Sequence, residues 1–110
     1  MIITTQDQLE EYNIKHTLGM VQGSTIRARH IGTDILAGLR NIVGGEVHEY
    51  TKMLAESREQ ALDRMKLEAD ELGANAIVCM RFTTSTIMSG MAEFLAYGTA
   101  VIIEPVPNND

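Results

Sequence analysis

The chain has 110 residues, 45% of them hydrophobic and 22% charged, which fits one soluble globular domain and leaves no room for two. Its formal net charge of −6 sets the overall field against phosphate backbones, so nucleic-acid binding would need a segregated basic patch, for which only Ile26–His30, "IRARH", is available. The single cysteine, Cys79, excludes an intrachain disulfide and a Cys-rich zinc site.

No run approaches the roughly 18 apolar residues that cross a bilayer. The opening "MIITTQDQLEEY" lacks a basic region and a sustained apolar stretch, so no secretory signal is expected and the cytoplasm is the default location. "IITT" at 2–5 is β-prone. From Ile14, alternation predicts a strand with Ile14, His16, Leu18 and Met20 on one face. Gly19 and Gly23 inside it predict bulges or a bend, and a hairpin turn near Gln22–Ser24 is the alternative.

The period then changes. Thr33 or Asp34 can cap a short helix whose Ile35, Leu36, Leu39, Ile42 and Val43 share a face. Gly44 stands where a left-handed residue ends a helix, and Gly45 can cap the next one. A long helix follows over Glu46–Leu72, with Val47, Tyr50, Leu54, Ala61, Leu62, Met65, Ala69 and Leu72 as its apolar stripe. Gly73 closes it. At about 1.5 Å per residue it is roughly 40 Å long, more than the roughly 34 Å diameter of a compact globule of this size. A helix that overhangs its own domain predicts a homo-oligomer.

Two β-rich stretches complete the domain, "NAIVCMRFTTSTI" and "GMAEFLAYGTAVIIE", with "MSG" at 88–90 as the turn. The second carries apolar residues on both faces (Phe94, Ala96 and Ile102; Leu95, Val101 and Ile103) and is expected in the middle of the sheet or buried against another subunit, not at an edge. Pro105 and Pro107 stop it, giving a single domain over residues 1–104 and a flexible tail over 105–110.

His16, His30 and His48 form no His-x3-His or His-Glu-x-x-His motif. His16 reads as a satisfied core side chain, and the seven methionines read as filler rather than copper ligands. Met80 is expected to share a face with Val78 and Phe82. Cys79 alternates with Ile77 and Arg81 on one strand face and has no histidine near it in sequence, so it reads as a small buried hydrophobe and not a nucleophile. The two helix starts offer amides to an anion, yet Asp34, Glu46 and Glu49 already supply negative charge there. Arg58 lies in the helix stripe between Leu54 and Leu62, where it must snorkel or pair, and a structural or interfacial ion pair is the expectation.

"LGMVQGSTIRA", "LAGLRNIVGGE" with Tyr50, "SREQAL" around Arg58, "LEADELGANAIV" and "GTAVII" together resemble the YbjQ family, whose members carry a heavy-metal-binding label. The resemblance spans roughly residues 2–103. It implies an α/β (α+β), dodecin-like subunit, a small sheet packed on a short and a long helix, assembled as a ring-shaped homopentamer. The family's glycines would map to Gly19, Gly23, Gly44, Gly45, Gly73 and Gly98, and its tyrosine and arginine to Tyr50 and Arg58. Many members carry a basic residue directly after the glycine pair, where this chain has Glu46. None of these segments holds Cys or His at ligand spacing, so a metal would need ligands pooled by symmetry. His48, beside Glu46, leads for that role, followed by His30.

The leading reading is a cytoplasmic, non-catalytic homo-oligomer that binds a heavy-metal ion or another small ligand at its subunit interfaces. Gly44, Gly45, Tyr50 and Arg58 are the ligand or interface residues. Neither a membrane nor a nucleic acid is expected as a partner. The alternative reading is a structural or interaction scaffold with no small-molecule ligand.

Overall fold

The computed structural model describes residues 1–27, 46–88 and 91–107. In chain order these form β1 (Ile2–Ile3), β2 (Tyr12–Arg27), α1 (Glu46–Glu71), β3 (Ala76–Met88) and β4 (Met91–Pro105). The strands make one mixed sheet in the order β1-β3-β4-β2. β1 runs parallel to β3, while β4 is antiparallel to both β3 and β2. With α1 on one face, this is a small α+β fold. The expected short helix lies outside the described residues, as do residues 89–90 of the "MSG" turn and 108–110 of the tail.

β4 takes the central place that its two apolar faces predict. Phe94, Ala96 and Ala100 are buried on the helix side, and Val101 and Ile103 are buried on the other. Two cores result. Val21, Ile77, Met80, Ala96 and Ala100 meet Ala61, Met65 and Ala69 of α1. On the opposite face, Ala76, Val78, Val101 and Ile103 pack with Leu9 of the N-terminal segment and Tyr12 at the start of β2.

β2 departs from simple alternation. Its register against β4 shifts between Ile14 and His16 and again between Thr17 and Gly19, where Gly19 has φ 128°. Each extra residue turns the following side chains to the other face. The expected common face is therefore broken: Leu18 packs against the helix-side core, while Ile14, His16 and Met20 are exposed. His16 is accordingly not a core histidine. The hairpin at 22–24 does not form, because β2 runs unbroken with Gly23 opposite Ala96.

Gly23 marks a close approach and not a bulge. A Cβ built there would overlap the Ala61 carbonyl oxygen and the Met65 amide nitrogen, and would stand 2.8 Å from the Arg64 carbonyl carbon. The helix row facing the sheet is Ser57, Ala61, Met65 and Ala69, four residues apart and dominated by small side chains, which lets the backbones come close. Leu54 and Leu62 flank that row half-buried, and Leu72, expected within it, is exposed.

Leu72 is exposed because the helix has already ended in a Schellman turn. Gly73, at φ 82°, donates its N–H to Asp70 O at 3.0 Å, and Ala74 donates to Ala69 O at 3.1 Å. The chain then enters β3 through Asn75, whose side chain bridges to β4. Its Nδ2 donates to Ile103 O at 2.9 Å, and its Oδ1 accepts from Ile103 N at 2.7 Å.

Thr25 points the same way as Gly23, is 3% exposed, and its Oγ1 finds no hydrogen-bond partner among the described residues. A buried hydroxyl left unpaired costs about 1–3 kcal/mol. Thr25→Val, similar in shape without the hydroxyl, is therefore expected to raise the urea midpoint by roughly 1 kcal/mol of stability at unchanged m value. A fall in the midpoint would show that the hydroxyl is satisfied.

Candidate functional site

The residues read from the sequence fall in two places. His30, Gly44 and Gly45 lie outside the described residues. Glu46, His48 and Tyr50 lie in the first turns of α1, within one and a half turns of each other along the helix. Their backbone is helical, as expected.

Arg58 lies further along α1, beside the buried row rather than in it. It is exposed, and no ion pair joins it to the other described residues. The buried position is Ser57, whose hydroxyl donates to Met53 O at 2.8 Å. A sequence stripe drawn through Leu54 and Leu62 runs through Arg58, while the row that meets the sheet runs one residue earlier. The signal available was the small-residue spacing Ser57, Ala61 and Ala69, which permits close packing where larger apolar residues do not.

Cys79 sits in a more unusual setting than a mid-strand hydrophobe. The β3 register against β4 shifts between Val78 and Arg81, so Cys79 and Met80 together oppose Gly98. This bulge reverses the face of everything beyond it. Met80 joins Ile77 in the helix-side core, whereas Val78 belongs to the opposite core, so Met80 and Val78 do not share a face as alternation predicts. Cys79 takes φ 56°, the left-handed region that favours glycine.

The N-terminal segment holds the bulge in place. Thr4 N donates to Ile77 O at 3.0 Å, Met80 N to Thr4 O at 3.0 Å, and Cys79 N to Gln6 O at 3.0 Å. Nη1 of Arg81 donates to Thr5 O and to Met80 O, each at 2.8 Å. That guanidinium is engaged by two carbonyls and so ties the N-terminal segment to β3. Around these groups lies an open depression lined by Thr5, Gln6, Asp7, Gln8, Glu10, Cys79 and Arg81. Cys79 is half-exposed at its edge.

Cys79→Gly should relieve the left-handed backbone, at a left-handed cost of about 1–2 kcal/mol, and lose about as much to the freer unfolded chain. It should unfold within roughly 1 kcal/mol of the wild type. Cys79→Val, with a β-branched side chain at the same φ, should fall at least 2 kcal/mol lower (roughly). Equal stability for the two variants would mean that the bulge relaxes.

Metal binding can be tested against these groups. A soft or borderline ion needs several His, Cys or carboxylate donors at one point. Among the described residues no three such side chains come together. Asp7, Glu10 and Cys79 line one depression without converging on a point, so they do not fit a heavy-metal centre within one subunit.

Comparison with known proteins places these features in a wider set. The profile of a family described as "Putative heavy-metal-binding" matches residues 1–104. A UPF0145 protein of Dehalococcoides mccartyi is 58% identical over 104 residues, which is 94% of this chain and 100% of that one. A UPF0145 protein of Methanococcus maripaludis is 62% identical over 101 residues, covering 92% of this chain and 90% of the relative. Among solved structures, a protein of unknown function of the DUF74 family from Pediococcus pentosaceus superposes with a TM-score of 0.59. That match covers 94% of this chain and 98% of the other at 21% identity, and at that identity it shows the fold alone.

Proposed function

The chain belongs to the YbjQ family, and from that membership we propose that it is a ring-forming homo-oligomer, a pentamer, which binds a small ligand where its subunits meet. The subunit's shape is the observation that carries this reading. It measures 60 × 26 × 16 Å with a radius of gyration of 17.6 Å, against about 13 Å for a compact chain of this length. A body this thin leaves Met20, Ile26, Leu67, Phe82 and Ile87 between 44% and 69% exposed. Packing against further copies is the economical way to remove that apolar surface from water.

The proposed role is binding and not catalysis, in the cytoplasm, where an unpaired cysteine is the ordinary state. A heavy-metal ion is a natural ligand only if several subunits pool their donors. His48 with Glu46 leads for that set and His30 follows, because a ring repeats each residue once per subunit around one axis. Tyr50, Arg58, Gly44 and Gly45 are the further interface positions.

Native mass spectrometry of untagged protein, purified without chelator and measured before and after EDTA, tests this directly. The expected result is a closed oligomer carrying a reproducible metal mass that EDTA removes, with His48→Ala assembling equally but losing the metal. A metal-free oligomer of the same size would retire the metal and leave an organic ligand. A monomer would overturn the ring. The scaffold reading draws on the edge strands of the described sheet, β1 and β2, which can receive a strand from a partner protein. An oligomer whose thermal stability moves with no metal or metabolite would favour it.

A further inference from the structure

We propose that residues 4–11 form a strap that lifts off the sheet as one unit while the rest of the chain stays folded, baring the smaller core and releasing the Cys79 bulge. One face of the molecule then has two states, and the strap selects between them.

The sequence makes this segment a thin cover. It reads "TTQDQLEE", with one large apolar side chain, Leu9, against the three carboxylates of Asp7, Glu10 and Glu11. The smaller core consists of Ala76, Val78, Val101 and Ile103, each no more than 5% exposed. Leu9 is the strap's single apolar contribution to it, and Leu9 is itself half-buried. The helix-side core, by contrast, is closed by Ala61, Met65 and Ala69 of a 26-residue helix.

The strap is attached at its ends. Thr4 and Gln6 bond to the bulge, and Arg81 donates to Thr5 O. At the far end Val106 N donates to Glu11 O at 2.9 Å, and Tyr12 N closes a turn on Leu9 O at 3.2 Å. Between these points, the N–H groups of residues 7–11 donate to nothing among the described residues. One open depression, of about 560 Å³, lies towards Cys79 and Arg81. Another, of about 470 Å³, lies towards Asn13 and Val106. Gln8 and Glu10 line both, so this part of the strap is a ridge between two open spaces.

Ordering a segment of this length costs conformational entropy that its contacts must offset. Here the contacts are one half-buried leucine and a few hydrogen bonds, for which water is a near-equal partner. Strain tips the balance further. Cys79 sits at φ 56°, and the bond from its N–H to Gln6 O helps to hold it there. Such a conformation persists only while its surroundings enforce it, so lifting the strap lets the bulge relax. Segments with few buried apolar contacts and exposed hydrogen bonds open at lower free energy than the whole molecule. β1 stays paired at Ala76 and Ile77, and β2 stays paired from Tyr12 onward, so the strap lifts as a loop with both ends anchored.

Residue-resolved amide hydrogen exchange of the untagged full-length chain, over a series of urea concentrations below unfolding, tests this. Three amides report the strap: Thr4, which donates to Ile77 O, Cys79, which donates to Gln6 O, and Met80, which donates to Thr4 O. Their protection factors are expected to agree within about threefold and to lie at least about a hundredfold below those of Ala61, Met65 and Ala69. They should also barely change with urea, because lifting a loop exposes little surface. Urea slopes as steep as those of the helix amides would overturn the proposal, since the strap would then leave only on global unfolding. Protection factors differing among the three by more than about tenfold would overturn it too, by showing separate bonds fraying in place of one unit lifting.

Discussion

Gly23→Ala is expected to be the most damaging single-methyl change in the described chain. The added carbon would meet backbone atoms of Ala61, Arg64 and Met65, which cannot rotate away as a side chain can. Relief requires moving α1 as a body off β2, and that opens the core around Val21, Met65 and Ala96. Overpacking usually costs 1–3 kcal/mol. With helix backbone as the obstacle, the expectation is about 3 kcal/mol or more, a fall in melting temperature of at least roughly 10 °C. Gly19→Ala is the informative control, since a Cβ there has nothing within 4 Å and meets only the unfavourable φ. Thermal unfolding of both variants decides the matter. A Gly23 variant no worse than the Gly19 variant would mean that helix and sheet are not in such close contact.

Asn75→Ala comes second. One side chain donates to and accepts from the same residue of β4, so it acts as an extra rung of the ladder at the point where the chain leaves the helix. The Asn75 amide also donates to Val101 O at 3.2 Å, which fixes the approach. Removing both side-chain bonds should cost about 2 kcal/mol, from roughly 1 kcal/mol per bond. Ile103 already pairs with Ile14 on its other side. The loss should therefore appear as faster hydrogen exchange at the Ile103 amide, together with a lower denaturant midpoint. A midpoint unchanged within 0.5 kcal/mol (about the usual scatter of surface substitutions) would show that water replaces the rung.

Much of this fold was legible because period and composition agree. The long helix, the β3–β4 hairpin and the central place of β4 follow from apolar spacing, and each is found where spacing puts it. The family glycines were legible as glycines but not as to purpose. Gly73 ends a helix as expected, whereas Gly23 is required by a helix some forty residues away in sequence, which no local pattern reports. Alternation failed wherever a bulge intervened. Gly19 announces one of the two in β2, but Cys79 adopts a left-handed φ with no glycine to mark it, so Met80 and Val78 were assigned a common face they do not have. In the candidate site, the helix start at Glu46 was readable, and the side chains that would complete a binding site in an oligomer are not encoded by spacing within one chain.

The pairing of β2 has a consequence for synthesis. Tyr12 pairs with Pro105 and Arg27 with Ala92, so every residue that β2 pairs with in the sheet belongs to the last stretch of chain to be made. β3 and β4, by contrast, follow one another directly. At roughly 5–20 residues per second a nascent β2 waits several seconds before β4 exists. Throughout that wait, "MVQGSTI" is uncharged, β-prone and unpaired on both sides, and it lies within reach of the same stretch on neighbouring nascent chains. The order of elements along the gene thus leaves β2 without its partner in the sheet for longer than β3 or β4, which pair with each other across a short connection.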